Sequence, residues 1–259
     1  MHNPIGLFDS GVGGTSIWNE IHKMLPSEDT IYLADSKNAP YGAKSSEKIL
    51  ELSIKNTEFL LERNCKLVVV ACNTATTNAI DYLRANYKVP FIGIEPAIKP
   101  AALQTKTKKV GILATKGTLA SSLFHNTSKM FAEGIEVFEQ EGIGLVELIE
   151  AGKTDTEETR NLLVQYVNPM LKKGIDSLVL GCTHYPYLIP ILKELLPADI
   201  NIIDSGEAVA RQTKAILEKN GFAISENRKA EHSFYSNTDI QVLKSLVKST
   251  DVKVSYLDF

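Results

Sequence analysis

Two stretches of this chain repeat one figure, and the repeat limits the folds open to it. Val68-Val69-Val70-Ala71-Cys72-Asn73-Thr74 is an apolar run that ends in a thiol and passes into amide and hydroxyl side chains. Leu178-Val179-Leu180-Gly181-Cys182-Thr183-His184 repeats it, and 182 − 72 = 110 residues separate the two cysteines. Short apolar, β-branched runs without alternation read as strands buried on both faces, the habit of parallel sheets. Each cysteine then stands at the carboxyl end of its strand, where open α/β sheets bind ligands. The polar residues that follow are of the kind that start and cap helices.

Other landmarks fall into the same register. A strand over 5–8 runs into the glycine turn Asp9-Ser10-Gly11-Val12-Gly13-Gly14, and the segment from Val110 to Thr118 aligns with it at an offset of 111 − 6 = 105. A strand over 135–138 answers one over 30–34, a helix over 157–171 answers one over 45–63, and Asp204 answers Glu95. The fold class is therefore α/β, with two pseudo-symmetric, mostly parallel-sheet domains and the active site in the cleft between them. The tail carries a helix over 206–220, a strand over 232–235, a helix over 239–248 and a strand over 252–256. It is too short for a third domain and is expected to return to the first. This gives domains of 1–96 plus 207–259, and 97–206.

Charge and cysteine usage narrow the function. A net charge of −3 without a basic cluster gives no reason to expect nucleic acid or an anionic membrane as partner. The N-terminus lacks the basic and apolar regions of a signal peptide, and no run reaches membrane-spanning length, so a soluble cytoplasmic protein is expected. Three cysteines without a CxxC pair support neither a disulfide framework nor a zinc site. No metal is expected.

Two thiols on facing strand ends suit one kind of chemistry. Inverting a carbon centre without a cofactor needs one group to take a proton from one face and a second to deliver one to the other. Thiols, with an ordinary pKa of about 8.5 that helix N-termini and cations lower, can do both. The carbanion-like transition state needs electrostatic stabilisation. Ser10, Asn73, Thr74, Thr118 and Thr183 are candidate anchors for substrate carboxylates, with backbone N–H groups at the glycine turn and helix starts. Asp9 and Asp35 are candidates to hold an ammonium group or modulate a thiol's proton, and His184 and a carboxylate such as Glu150 are candidates to act beside Cys182. A lone strand-end cysteine is more often a small core residue, which is the reading kept for Cys65. The glycine turn departs from both GxGxxG and P-loop spacing, so it is a weak nucleotide signal.

The motifs Asp9-Ser10-Gly11-Val12-Gly13-Gly14, Pro40-Tyr41-Gly42, Ala71-Cys72-Asn73-Thr74-Ala75 and Gly181-Cys182-Thr183-His184-Tyr185-Pro186 resemble those of bacterial glutamate racemases, in order and spacing. These belong to the cofactor-independent aspartate/glutamate racemase superfamily. The resemblance covers essentially the whole chain. It implies interconversion of L- and D-glutamate, with D-glutamate supplied to peptidoglycan synthesis and so to cell shape, by an isomerase that uses no cofactor and forms a homodimer. It further implies that Cys72 deprotonates D-glutamate with help from Asp9, and that Cys182 deprotonates L-glutamate with help from His184 and Glu150. Asp9-Ser10, Tyr41-Gly42, Asn73-Thr74 and Thr183-His184 match the substrate-contact pairs, with Thr118 a further contact. An aspartate racemase, a Cys-His hydrolase or transferase using Cys182, and a small-anion binding protein are the rival readings. The racemase reading expects a glutamate-sized cavity between sulfurs roughly 7 to 8 Å apart.

Overall fold

In chain order the elements are β1 (Ile5–Asp9), α1 (Thr15–Met24), β2 (Thr30–Ala34), α2 (Ser46–Glu62), β3 (Leu67–Val70), α3 (Asn73–Asn86), β4 (Phe91–Gly93) and α4 (Ile98–Gln104). There follow β5 (Lys109–Ala114), α5 (Lys116–Leu119), α6 (Ser122–Phe131), β6 (Glu136–Glu141), α7 (Leu145–Glu150), α8 (Glu157–Lys172), β7 (Ser177–Gly181), α9 (Ile189–Leu195) and β8 (Asn201–Ile203). The tail adds α10 (Gly206–Lys219), β9 (His232–Ser236), α11 (Gln241–Leu246) and β10 (Val252–Tyr256). This computed structural model describes residues 3–94, 97–247 and 249–259. Met1, His2, the expected landmark Glu95, residue 96 at the expected boundary, and Lys248 of the expected helix over 239–248 lie outside them.

Two parallel sheets form. One has the order β10-β9-β2-β1-β3-β4 and the other β6-β5-β7-β8. The run β2-β1-β3-β4 and the run β6-β5-β7-β8 are the same arrangement twice, and every pairing in both is parallel. The strands carrying the thiols owe their central place to composition: all four residues of β3 and all five of β7 are buried, as continuous apolar runs require in a sheet covered on both faces. In the first sheet Leu7 and Val69 belong to one core cluster, Phe8 and Val70 to another. α10 packs on α1, and α2 on α3. Among the described residues no helix is long and apolar enough to cross a membrane.

The tail strands β9 and β10 extend the first sheet beyond β2. Polar links fix them there. Trp18 Nε1 donates to Thr30 Oγ1 at 2.9 Å, and Thr30 Oγ1 lies 2.8 Å from His232 Nδ1 on β9. Phe234 is buried edge-on to Trp18, worth about 2 kcal/mol in surface removed from water. Glu28, buried between β2 and the tail, takes Lys66 Nζ at 2.6 Å and the Ile224 N–H at 2.8 Å.

Three local expectations change. The second-half strand answering β2 lies at Glu136–Glu141 rather than 135–138, because its register is set by pairing with β5 rather than by its own acidic, half-exposed sequence. The loop from Ser36 to Gly42, which opens after Asp35, reads from its sequence as too polar and turn-rich for the core, yet Tyr41 is fully buried in it. Finally, Cys72 directly precedes a helix but Cys182 does not: a 3-10 turn over Tyr185–Leu188 follows it, and α9 starts only at Ile189. Pro186 and Pro190 lack the N–H groups that a continuous helix needs there.

Candidate active site

Cys72 leaves β3 in extended conformation and caps α3, its sulfur accepting the Ala75 N–H at 3.4 Å. Ser10 Oγ, at the end of β1, lies 3.7 Å from the same sulfur. Asp9 is buried beside it, with Oδ2 accepting the Gly14 N–H at 2.8 Å and Oδ1 at 3.4 Å from both Ser10 Oγ and Thr183 Oγ1. Burial and the negative charge of Asp9 push the Cys72 thiol well above its ordinary range, against the opposing Ala75 N–H and Ser10 hydroxyl. Burial also raises the Asp9 carboxyl, with His184 and the Gly14 N–H pulling the other way.

Cys182 has a different escort. Its sulfur lies 3.8 Å from His184 Nδ1, while His184 Nε2 meets Glu150 Oε1 at 2.5 Å. The Gly13 N–H approaches the same nitrogen at 3.2 Å, but the carboxylate is closer and charged, so it favours a proton on Nε2 and leaves Nδ1 to exchange one with the thiol. Burial alone would lower the proton affinity of this imidazole. Its contacts with Cys182 and Glu150 and the charge of Asp9 outweigh that and raise its pKa well above the ordinary value. Glu150 is held below the carboxylate range: burial raises it, but hydrogen bonds from His184, Ser36 and the Val12 N–H prevail.

The glycine turn after β1 is where the two halves meet. A methyl group on Gly11 would strike the Glu150 carboxylate, and one on Gly13 the His184 ring. Glycine at both positions lets side chains from the second half lie against backbone of the first. Val12 N–H donates to Glu150 Oε1 at 2.6 Å, Ser36 Oγ to Glu150 Oε2 at 2.7 Å, and Ser16 Oγ to the Thr183 carbonyl at 2.8 Å.

Both thiols line one cavity, with Ser10, Tyr41, Gly42, Asn73, Thr74, Thr183 and His184. Pro40, Thr115 and Val146 complete the wall. Asp9 and Glu150 stand behind it, bonded to side chains on its surface. Thr118 does not reach the cavity: its hydroxyl lies 3.0 Å from that of Thr115, which takes the wall position and meets Thr74 Oγ1 at 2.9 Å. The repeat carries a signal for Thr115, because the 105-residue offset pairs it with Ser10 and pairs Asp9 with Ala114. Asp35 does not line the cavity either; it accepts from Tyr41 Oη at 2.5 Å, Asn38 Nδ2 at 2.8 Å and Asn237 Nδ2 at 2.6 Å, and so pins the loop. Cys65 lies in the core, its thiol pushed up to about 12 by burial.

The cavity measures only about 10 Å³, room for a single water rather than a glutamate. The site is closed, so it must widen for a ligand of that size to enter. No lysine or arginine lines it, so anionic groups would be held by neutral donors and by the His184 imidazole. Asn73 Nδ2 is a buried donor without a partner among the described residues. No group of three or more His, Cys, Asp or Glu side chains is placed to hold a metal ion among the described residues.

Residues 5–213 match the family model described as Asp/Glu/Hydantoin racemase. A curated glutamate racemase of Herpetosiphon aurantiacus is 50% identical over 214 residues, 83% of this chain and 84% of that protein. Among solved structures, a glutamate racemase isoform of Bacillus anthracis superposes with a TM-score of 0.87 at 31% identity, covering 99% of this chain and 98% of its own. The Escherichia coli glutamate racemase, solved with L-glutamate and the activator UDP-MurNAc-Ala, gives 0.86 at 34% identity and covers 98% of each chain. The aspartate racemase of Picrophilus torridus, at 19% identity, a TM-score of 0.60, and coverage of 85% of this chain and 94% of its own, shares the fold alone.

Proposed function

Because the chain belongs to the Asp/Glu/hydantoin racemase family, we propose that it interconverts L- and D-glutamate by passing a proton between Cys182 and Cys72 through the substrate α-carbon. Glutamate rather than aspartate is the substrate that the relatives support, since those with substantial identity are glutamate racemases. One observation carries the two-thiol reading: the equivalent strand ends of the two halves bring both cysteines to the same buried cavity.

In the L-to-D direction the Cys182 thiolate takes the α-proton from one face, and the C–H electron pair remains on the α-carbon, delocalised into the carboxylate. The Cys72 thiol then returns a proton to the opposite face. The D-to-L direction exchanges the roles, and the substrate formula is unchanged. The resting electrostatics suit this division, because the raised Cys72 thiol keeps its proton as an acid, while the His184 imidazole can take the proton of Cys182. Asp9 serves Cys72; His184, backed by Glu150, serves Cys182. Ser10, Asn73, Thr74, Thr183 and the Tyr41-Gly42 loop hold the carboxylates and the ammonium group, joined by Thr115, with Thr118 acting behind it. Closure expels water and so strengthens these contacts.

On the same reading, residues 1–96 with 207–259 move as one domain against 97–206, and the protein works in the cytoplasm as a homodimer that supplies D-glutamate to peptidoglycan. The test is to replace each thiol singly, Cys72→Ser and Cys182→Ser, and follow L-glutamate, D-glutamate and L-aspartate by circular dichroism. Each substitution should cost about 10²- to 10⁴-fold in glutamate turnover. Turnover largely retained by Cys72→Ser would favour a Cys-His hydrolase or transferase, and turnover of aspartate alone would overturn the substrate.

A further inference from the structure

Glu150 sits at the end of α7 in the second half, yet both its oxygens are held by the first: Val12 N–H at 2.6 Å on Oε1 and Ser36 Oγ at 2.7 Å on Oε2. The Ser36 hydroxyl is carried on a loop that is itself fixed. The preceding residue, Asp35, accepts Tyr41, Asn38 and Asn237, and the following Lys37 N–H donates to Asn237 Oδ1 at 2.9 Å. The partners of Cys72 differ in one respect. Asp9, Ser10 and the Ala75 N–H all belong to the same half as that thiol, so they travel with it when the cleft opens. The Cys182 relay, from sulfur to His184 to Glu150, also lies within one half, but its histidine and carboxylate take their remaining donors from the other: the Gly13 N–H at 3.2 Å on His184 Nε2, and Val12 and Ser36 on Glu150.

We propose that Ser36 is a positioning residue for the Cys182 half of the reaction, its hydroxyl fixing Glu150 against His184 when the halves close. The proposal rests on the reading of Cys182 as one of the two acid/base groups. Opening the cleft withdraws the Ser36 and Val12 donors together, which frees the carboxylate that orients the imidazole. Closure thus assembles the base for L-glutamate, while the environment of Cys72 is largely preassembled. Ser36 does not touch the reacting atoms.

The consequence is measurable because it affects one of two proton transfers. Enantiomers have equal free energies, so any variant must lower kcat/KM equally in both directions, and that value cannot show which transfer has slowed. The primary isotope effect can. In Ser36→Ala, kcat/KM should fall about tenfold, the lower range for a hydrogen bond to a charged group. The deuterium effect on kcat/KM should rise with α-deuterated L-glutamate, whose label Cys182 removes, and fall with α-deuterated D-glutamate. Ser36→Thr, which keeps the hydroxyl, should return both effects to the wild-type values. Isotope effects that stay unchanged or shift together in Ser36→Ala, or a threonine variant that behaves like alanine, would overturn the proposal. Cys182→Ser in the same assay separates the two levels. If it racemises at the wild-type rate, the reading of Cys182 fails as well; if it is inactive while Ser36→Ala keeps symmetric isotope effects, only the role of Ser36 fails.

Discussion

Gly13→Ala tests whether the first half's turn sets the position of the second half's histidine. The backbone at Gly13 lies outside the left-handed region, so alanine adopts it without strain and the perturbation is purely one of contact. The added methyl group would overlap Nδ1 and Cγ of His184 and stand 2.6 Å from Cε1, against 3.4 Å for ordinary contact. The ring therefore has to retreat by about 1 Å, and a displacement of that size at a reacting group costs about 10²-fold. Nδ1 faces Cys182 at 3.8 Å, so the retreat acts on proton transfer directly. Overpacking should cost about 1–3 kcal/mol of stability, to be read from thermal unfolding alongside turnover. The assay is circular dichroism of glutamate from either enantiomer, and the two directions should lose the same factor in kcat/KM. Activity within about twofold of wild type, in a variant that melts normally, would refute the idea that this turn sets the histidine.

Two further outcomes follow from the fold. Glu28→Ala leaves Lys66 and the Ile224 N–H without their buried acceptor, and should cost about 3 kcal/mol in denaturant unfolding; a loss below about 1 kcal/mol would contradict the role given to this ion pair in anchoring the tail. Asp176 is held at about 2: burial raises it, but Thr105 and Ser177 hydroxyls and the Lys106 and Thr107 N–H groups prevail. A depressed carboxyl stabilises the folded state above its unfolded value of 3.8, and that stability is lost as pH falls through about 2. Asp176→Asn should cost about 1 kcal/mol at neutral pH after allowing for solvent screening, with the difference from wild type shrinking steadily as pH falls from about 4 through about 2; a difference that stays constant over that range would contradict the linkage.

Much of the fold is legible because it is written twice. The apolar runs before Cys72 and Cys182, and the shared offset from Ile5 and Val110, specify two parallel sheets before any contact is known. What the repeat does not copy is equally informative: Asp9 is answered by Ala114, and the helix cap of Cys72 by a proline-interrupted turn, so the two thiols need different partners. The link from His184 to Glu150 spans 34 residues and joins a turn to a helix end, a distance that no local pattern reports; only the resemblance to the racemases lifts Glu150 above one acidic candidate among many. Gly11 and Gly13 look like a tight turn, whereas their requirement is contact with side chains from the other half, which exists only once the halves dock. Tyr41 could not be placed in the core from a polar loop, because its burial depends on Asp35 as a buried acceptor.

The central claim is that two groups on opposite faces share one proton exchange, and early racemisation of unlabelled L-glutamate in D₂O tests it most directly. If Cys182 removes the proton and a solvent-equilibrated Cys72 supplies its replacement, the first D-glutamate formed carries deuterium at the α-carbon while the remaining L-glutamate is still largely protonated. D-glutamate that retains the original α-proton during those first turnovers would mean that one group serves both faces, and would contradict the account.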